Sequence, residues 1–410
     1  MNILYIAYSC SPINGSEDKI GWNVPFESAK THRVFVVTKE EQHQNIEAYL
    51  KKHGIDNMYF YFVDIPILYK KLLKGFLYSG RLNIWHRRAF RLVKQICEQQ
   101  HIDVIHQITP IEFRSIGAYG TIPNVKFVCG PLGGAEAIPE GLKSYAKPHM
   151  MTEMLRSSIN LLYLLGFKLT GKMKHCDCIL FANHETKRFL STVNPELAEC
   201  DVMTEIAIEK DDLAMQERHS FDTGKGCRFL VAGRLIYRKG HEFLLDALKQ
   251  IPAELDYTCR IVGDGLEMER LKEKCADGLL AERVVFTGRI PYAQMAEEYE
   301  NADVFIMPSL RETTGSVLLE AMAKGLPVIT INRFGGATFL DENSGWLYEG
   351  NTKTEYIENL SAAMVACISR PEEICRKGKA ARSQAEKYTW EEKLSHYNMI
   401  YSNVSCEVEE

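Results

Sequence analysis

Two glutamates in the second half of the chain flank a glycine, one ahead of a helical pattern and one inside it. Glu312, Gly315 and Glu320 occur in this order. A glycine lets the backbone approach a ligand, and the free N–H groups at a helix start bind anions. Gly315, Ser316 and Val317 are therefore predicted to bind phosphate. Glu320 can accept hydrogen bonds from both hydroxyls of a ribose, and Glu312 would lie nearer the group beyond the phosphates.

Two basic residues follow another apolar run. Residues 229–232 predict a strand, and Gly233, Arg234 and Lys239 come in the loop after it. Arginine offers a planar fork of donors and lysine a mobile point charge, so the pair can neutralise a diphosphate. We expect Arg234 and Lys239 to carry the chemistry of this site together with Glu312.

Two further strand ends suit the close approach of a ligand. Gly263 follows a predicted strand in a Gly-Asp-Gly turn. This turn is not a full Gly-x-Gly-x-x-Gly fingerprint, so a nicotinamide dinucleotide site is disfavoured. Arg289 and Ile290 follow the next predicted strand, where a nucleotide base can lie against the backbone.

Short apolar runs alternate with helical patterns along the whole chain, which is typical of parallel α/β domains. The strand-like runs lie at residues 3–7, 34–37, 58–63, 104–106, 126–129, 229–232, 258–262, 284–286, 304–307 and 328–331. Helical patterns include residues 242–250 and 267–275. Ligands of parallel sheets bind at the carboxyl ends of the strands, where the loops described above are predicted. A polar linker is predicted at about residues 205–226.

The composition is that of a folded α/β protein. The 410 residues are 46% hydrophobic and 25% charged, which excludes wholesale disorder, collagen and a disulfide miniprotein. The longest apolar run, Leu161–Phe167, is far shorter than the roughly 18 residues of a membrane-spanning helix. The first residues lack the basic region of a signal peptide, so we expect a cytoplasmic protein. The 12 cysteines show no metal-site spacing and are expected to be buried apolar residues.

Charge is divided unevenly along the chain. Residues 1–200 contain 24 Lys and Arg and 18 Asp and Glu, a net charge of +6; the remainder contains 25 and 36, a net charge of −11. The basic first half is expected to face an anionic partner. Nucleic acid is not expected to be that partner, because no basic tract or recognition motif occurs.

Two segments combine basic residues with aromatic or aliphatic ones. They span residues 66–97 and 142–175. Such segments suit the surface of an anionic membrane or a lipid-linked acceptor. Ordinary helices that pack an apolar stripe while their lysines stay solvated are the alternative. The sequence leaves both open, so peripheral contact with the inner face of the cell membrane is the alternative to a free cytoplasmic protein.

Residues 229–347 resemble the donor-binding domain of family 4 retaining glycosyltransferases, which have the GT-B fold. The matching motifs are Gly233-Arg234-Leu235 with Lys239-Gly240, Gly263-Asp264-Gly265, the Glu312 and Glu320 pair, and Glu320-Ala-Met-Ala-Lys-Gly-Leu-Pro-Val328. The first half resembles the acceptor domain more loosely, through Gly15-Ser-Glu17, Asp103-Val-Ile-His106 and Gly130-Pro-Leu-Gly133-Gly134. Trp390 and the final helix resemble the family's C-terminal tail.

The resemblance implies an architecture. It comprises two Rossmann-like parallel α/β domains that face a central cleft. Residues 1–205 would form the acceptor-side domain, with a C-terminal helix at about 388–410 packing back on it. Residues 206–387 would form the donor-binding domain.

The resemblance also implies roles for the residues named above. Arg234 and Lys239 would hold the donor diphosphate, Glu320 the nucleotide ribose and Glu312 the transferred sugar. The remaining donor contacts would be the glycines Gly15, Gly233, Gly263 and Gly315, the helix-start residues Ser316 and Val317, and Arg289 and Ile290 beside the base. Transfer would retain the anomeric configuration without a metal or other cofactor, with the departing phosphate oxygen helping to deprotonate the acceptor.

The acceptor side departs from the family pattern. Members often carry a histidine on the loop after the strand that ends here at Cys129-Gly130, and this chain has none there. His106 is the candidate substitute. Glu17, Gly133 and Gly134 are further candidates for the acceptor or sugar side. Phe339 replaces an acid often found after the Gly335-Gly336 pair.

The resulting hypothesis is a retaining hexosyltransferase. It would use a UDP- or GDP-linked sugar and a glycan or lipid-linked acceptor in surface polysaccharide biosynthesis. A nucleotide-sugar epimerase of the same fold is one alternative. A catalytically silent GT-B module that binds a nucleotide or a partner is the other.

Overall fold

The computed structural model describes residues 1–15, 17–143, 145, 149–213 and 226–406. The chain forms two compact units. Unit 1 comprises Met1–Ala135, Met154–Ile206 and Trp390–Glu410, and unit 2 comprises Glu136–Glu153 and Ala207–Thr389. Residues 136–153, which precede the predicted domain boundary, thus group with unit 2. Residues 214–225 of the predicted linker, and Ser16 of the first glycine motif, lie outside the described residues.

Strands and helices alternate through the first half of the chain. In order they are β1 (Asn2–Ala7), α1 (Glu17–Ser28), β2 (Arg33–Lys39), α2 (His43–His53), β3 (Met58–Val63), α3 (Ile67–Leu72), α4 (Tyr78–Gln99), β4 (Val104–Thr109), β5 (Lys126–Leu132), α5 (Met150–Thr170), β6 (Cys178–Phe181) and α6 (His184–Ser191). The first turn of α5 groups with unit 2 and the rest of it with unit 1.

The same alternation continues in the second half. In order the elements are α7 (Lys210–Leu213), β7 (Cys227–Ala232), α8 (His241–Leu248), β8 (Tyr257–Val262), α9 (Met268–Lys274), α10 (Leu279–Arg283), β9 (Val284–Gly288), α11 (Met295–Glu300), β10 (Val304–Met307), α12 (Ser316–Ala323), β11 (Val328–Ile331), α13 (Phe334–Phe339), β12 (Gly345–Tyr348), α14 (Lys353–Ser369), α15 (Pro371–Ala385) and α16 (Trp390–Cys406). The last helix groups with unit 1.

Each unit contains one six-stranded sheet, and every strand pair in both sheets is parallel. The strand orders are β3-β2-β1-β4-β5-β6 and β12-β11-β10-β7-β8-β9. Counted from the first strand of each unit, both sheets have the 3-2-1-4-5-6 order of the Rossmann fold. The predicted α/β class with two parallel sheets is confirmed.

All ten predicted strands are present. The sequence analysis missed β6 and β12, the last strand of each unit. Each has four residues and lies at the edge of its sheet. An edge strand has one strand neighbour and needs no long apolar run, so its sequence pattern is weak.

The central strands form much of the cores because they are largely apolar. All four residues of both β10 and β11 are buried, as expected for strands covered on both faces by helices. In unit 1, α16 contributes the fully buried Tyr397 and Tyr401. The Tyr401 hydroxyl lies 3.2 Å from the Tyr5 hydroxyl of β1. The last helix is therefore a core element of unit 1.

Candidate donor site and the family of the chain

Strand register lines up the predicted donor loops of unit 2. Strands β10, β7, β8 and β9 are consecutive neighbours in the sheet. Ala232 at the end of β7 pairs with Val262 at the end of β8, which pairs with Gly288 at the end of β9. The loops that begin at Gly233, Gly263 and Arg289 therefore leave the same edge of the sheet, and the loop after β10 joins them.

Cations surround Glu312 on that edge. The Lys239 ammonium donates to Glu312 Oε2, and Arg238 Nη1 lies 3.9 Å from Glu312 Oε1. Burial alone would raise the pKa of Glu312, but Lys239 and Arg238 outweigh it, so the pKa is lowered and the carboxylate is charged. Burial lowers the pKa of Arg238, and the neighbouring Arg311 and Arg234 lower it further. Lys239 and Arg238 thus share Glu312, with Arg234 and Arg311 near Arg238, an arrangement that favours an added anion.

Glycines set the shape of this edge. Gly315 precedes α12 with φ of 87° and needs the left-handed region; a Cβ there would lie 2.8 Å from Met307 Sδ. A Cβ on Gly263, where φ is 141°, would lie 1.8 Å from the Gly233 carbonyl oxygen. Among the described residues no side chain caps the first turn of α12. The start of α12, with Ser316 exposed and Val317 half-buried, therefore offers backbone donors.

Glu320 lies in the second turn of α12 beside a buried tyrosine. The Tyr299 hydroxyl donates to Glu320 Oε2 at 3.0 Å. Burial and the neighbouring Glu320 raise the pKa of Tyr299 well above its ordinary value, so Tyr299 remains a donor. Arg289 is exposed and Ile290 half-buried directly after β9. Unit 2 thus places the loops that begin at Gly233, Gly263 and Arg289 at one edge of its sheet, with Glu320 in the second turn of α12; Gly15 lies in unit 1.

A buried glutamate supports these loops, and the sequence analysis missed it. Glu153, 8% exposed, accepts from Arg311 Nη2 at 2.8 Å and from the Tyr237 hydroxyl. Arg238 Nη1 in turn donates to the Arg311 carbonyl at 3.3 Å. The segment 136–153 therefore holds both loops that carry Lys239 and Glu312. A single acid ahead of an apolar helix gives no sequence signal for such a role.

A cavity of about 170 Å³ lies next to the same loop. Its lining includes His149 and Tyr237, whose rings stack at 4.1 Å, and the buried His241. Burial lowers the pKa of His241 to about 3. None of the predicted donor residues lines this cavity, so the candidate donor site is the open strand edge beside it.

In unit 1 the predicted acceptor residues Glu17 and Gly133 lie near each other. Glu17 Oε1 accepts from the Ile111 N–H at 2.7 Å, and the Gly133 N–H donates to the Ile111 carbonyl at 2.8 Å. Burial raises the pKa of Glu17, and the nearby carboxylates of Glu112 and Asp18 raise it further. Glu112, which the sequence analysis did not single out, accepts from the Ser79 hydroxyl and forms an ion pair with Arg114, whose Nε lies 2.8 Å from Glu112 Oε1.

The prediction that His106 replaces the family's sugar-contacting histidine is wrong. His106 is fully buried in β4. Its Nε2 donates to the Gly130 carbonyl at 2.9 Å, and its Nδ1 lies 2.7 Å from the Tyr401 hydroxyl. Burial lowers its pKa to about 3, so Nδ1 accepts from Tyr401. With no surface and both nitrogens engaged, His106 joins β4 to α16 within the core of unit 1.

Known proteins resemble the chain in sequence and in fold. Residues 216–379 match the family model of group 1 glycosyl transferases. The match covers about two fifths of the chain, which is similar to this family over that stretch. Sulfoquinovosyl transferase SQD2 of Arabidopsis thaliana is 34% identical over 162 residues, 38% of this chain and 30% of that protein. A GDP-mannose-dependent alpha-(1-6)-phosphatidylinositol monomannoside mannosyltransferase of Mycolicibacterium smegmatis is 30% identical over 230 residues, 52% of this chain and 59% of that protein.

The fold of the chain is similar to that of a solved structure. Anabaena HepE, crystallised with UDP, superposes with a TM-score of 0.64 at 15% identity, covering 98% of this chain and 100% of HepE. The likeness shows the GT-B fold. The alignments cover less than two thirds of each of the two curated relatives. Within the described ranges, no helix is long and apolar enough to cross a membrane.

Proposed function

We propose that the protein is a glycosyltransferase that transfers a hexose-type sugar from a nucleotide-sugar donor to a glycan or lipid-linked acceptor, with retention of configuration. One observation carries the proposal: Lys239 and Glu312 contact each other directly at the strand edge where Arg238 and Arg311 add positive charge. In a nucleotide sugar the anionic diphosphate is bonded directly to the sugar. Cations beside a carboxylate are complementary to this ligand, because the cations can contact the diphosphate and the carboxylate can accept from the sugar hydroxyls.

The donor chemistry requires charge stabilisation at the leaving group. The nucleoside diphosphate gains negative charge as the bond to the sugar breaks. Arg234, Lys239 and the start of α12 would stabilise that charge because they are already in place. Glu320 would bind the ribose and Glu312 the sugar hydroxyls. The departing phosphate oxygen would take the acceptor proton on the same face of the sugar, without a metal.

The acceptor is proposed to bind in unit 1, at Glu17 and the Gly133-Gly134 loop. Glu17 and Glu112 supply carboxylate oxygens that can accept from acceptor hydroxyls. The mycobacterial relative is named for a lipid acceptor and a GDP-linked donor, whereas HepE was crystallised with UDP. We therefore keep both donor bases and favour a lipid-linked acceptor on the cytoplasmic side of a membrane, in surface polysaccharide or glycolipid synthesis.

Thermal unfolding of the purified protein against UDP, GDP and their sugars tests the donor assignment. A ligand that binds only the folded state stabilises it by about 2.7 kcal/mol at a hundredfold excess over its dissociation constant. We expect one nucleoside diphosphate and its sugars to raise the midpoint selectively. Transfer to lipid-linked acceptors is then followed with that donor, and NMR of the new anomeric proton reports retention.

Two other outcomes would replace the proposal. Conversion of the donor into another sugar nucleotide without any acceptor would identify an epimerase. Absence of any thermal shift and any turnover, with or without acceptor lipid, would favour a silent binding module. Binding of NADH is not expected.

A further inference from the structure

Helix α5 is apolar on two opposite sides. One side packs in the core of unit 1: Leu164 and Phe167 are buried, and the Phe167 ring lies 6.4 Å from that of Phe113. Leu164 and Phe167 are three positions apart and thus share one helical face. An ordinary surface helix would be polar on the opposite side, whereas the opposite side of α5 is mainly aliphatic.

The opposite side, which we name the α5 outer face, consists of exposed aliphatic residues around the exposed Ser158. They are Met154, Leu155, Leu161, Leu162, Leu165 and Leu169. Leu155, Leu162 and Leu169 recur at every seventh position, and Leu165 lies between two of them on the same stripe. Leu162 is 68% exposed and Leu169 is 87% exposed. Contiguous apolar surface of this kind marks an interaction site.

The exposed charges of α5 and of the turn after it are positive. In residues 150–175 the only acid is Glu153, which is buried against Arg311 and Tyr237. Lys168 and Lys174 are exposed beside and after the stripe. Burial and the nearby Arg87 of α4 lower the pKa of Lys172, so another cation lies next to it. The partner of this face should therefore combine apolar depth with negative charge.

We propose that the α5 outer face lies in the surface of an anionic lipid bilayer, with the helix parallel to the membrane plane. Leucines of such a helix enter the boundary between headgroups and acyl chains, and lysines contact the anionic headgroups. With 21 residues α5 is about 31 Å long, enough for one row of contacts along the surface. A second copy fits less well, because pairing two outer faces would bring their lysines together without acids to offset them.

The position of α5 links this surface to the acceptor loop. Arg156 Nη2 and Asn160 Nδ2 of α5 both donate to the Gly134 carbonyl. A lipid-linked acceptor in the bilayer would therefore reach unit 1 beside Gly133-Gly134. This last step rests on the proposed function, whereas the membrane contact itself does not.

Vesicle co-sedimentation of the full chain, without nucleotide, tests the contact. We expect binding to vesicles of phosphatidylglycerol and phosphatidylcholine, weaker binding in high salt, and little binding to phosphatidylcholine alone. A triple variant, Leu155→Ser, Leu162→Ser and Leu165→Ser, should lose at least tenfold in partition to anionic vesicles. The matched control replaces three exposed apolar residues elsewhere, Leu279→Ser, Val285→Ser and Met399→Ser, and should bind like the wild type.

A second measurement does not depend on the triple variant folding. The fluorescence of Leu162→Trp should shift to the blue with anionic vesicles, and that of Leu279→Trp should not. Wild-type protein that ignores anionic vesicles, or a triple variant that binds as its control does, would overturn the proposal. A wild-type dimer that the triple variant converts to monomer, without vesicle binding, would assign the face to a second copy instead. The donor-site variant Lys239→Ala should still bind vesicles, which separates this test from the transfer reaction.

Discussion

At the carboxyl edge of its sheet, unit 2 gathers Arg238 and Lys239 around the ionised Glu312, whereas unit 1 buries a neutral His106 in the central strand β4 and holds Glu17 with a raised pKa. Both sheets have the same strand order. The same strand order thus occurs with an ionised carboxylate among cations in unit 2 and with a neutral histidine and a glutamate of raised pKa in unit 1. The difference supports the proposal that the strand edge of unit 2 binds the anionic donor, while the strand edge of unit 1 contacts hydroxyl groups of the acceptor.

Removing the cations of unit 2 should have the largest effect. We expect the double variant Arg234→Ala, Lys239→Ala to lose at least about a thousandfold in transfer, because each preorganised contact to a developing charge contributes about 10²–10³. The loss is measured as the rate of sugar transfer from the donor that thermal unfolding identifies. Lys274→Ala, which removes an ion pair with Asp246 in the same unit, should stay near wild type. Near wild-type turnover of the double variant would refute the site assignment.

A buried lysine of unit 1 should produce the next largest effect, on stability. Lys393 donates to the Thr204 carbonyl, and burial lowers its pKa from 10.5 to about 8. Between pH 8 and 10.5 the unfolded chain binds the extra proton, so stability rises with pH through this window, by about 3 kcal/mol in all. In Lys393→Met the urea midpoint should no longer rise between pH 8 and 10.5. In the control Lys387→Met, which changes an exposed lysine, the rise should remain. A rise that survives in Lys393→Met would contradict the assignment.

Sequence patterns predicted the sheets and the donor loops because both depend on local signals. A run such as Val304–Met307 is apolar throughout, and a glycine before a helix is visible in one dimension. The failures depend on long-range packing. His106 was predicted to face a ligand, but α16 covers it from nearly three hundred residues away. Glu153 supports the donor loops only because the segment 136–153 groups with unit 2.

Glu153 allows the support of the donor site to be separated from its chemistry. Glu153→Gln keeps the shape of the side chain but removes the charge that holds Arg311 and Tyr237. We expect transfer to fall by about tenfold to a hundredfold, since small displacements of positioned groups cost that much. Glu140→Gln, an exposed acid of the same segment paired with Lys143, is the control. Unchanged transfer in Glu153→Gln would show that the loops that carry Lys239 and Glu312 keep their positions without the charge of Glu153.

The smallest predicted effect is a difference in acid sensitivity: as the pH falls, the stability of unit 1 should decrease more steeply than that of unit 2. Burial lowers the pKa of His86 and His106 in unit 1, and of His241 in unit 2, to about 3. The unfolded chain protonates its histidines near pH 6.5, so below that pH it binds more protons and stability falls. Each buried histidine contributes about 1.4 kcal/mol per pH unit between pH 6.5 and 3. Unit 1, with two such histidines against one, should lose stability about twice as steeply from this source.

Hydrogen exchange at pH 6.5 and 5.5, followed separately in the strands of each sheet, measures the ratio. His86→Gln should bring the slopes of the two units together, whereas exposed His53→Gln should leave them apart. Equal slopes in the wild type would mean that burial of neutral histidines does not distinguish the units.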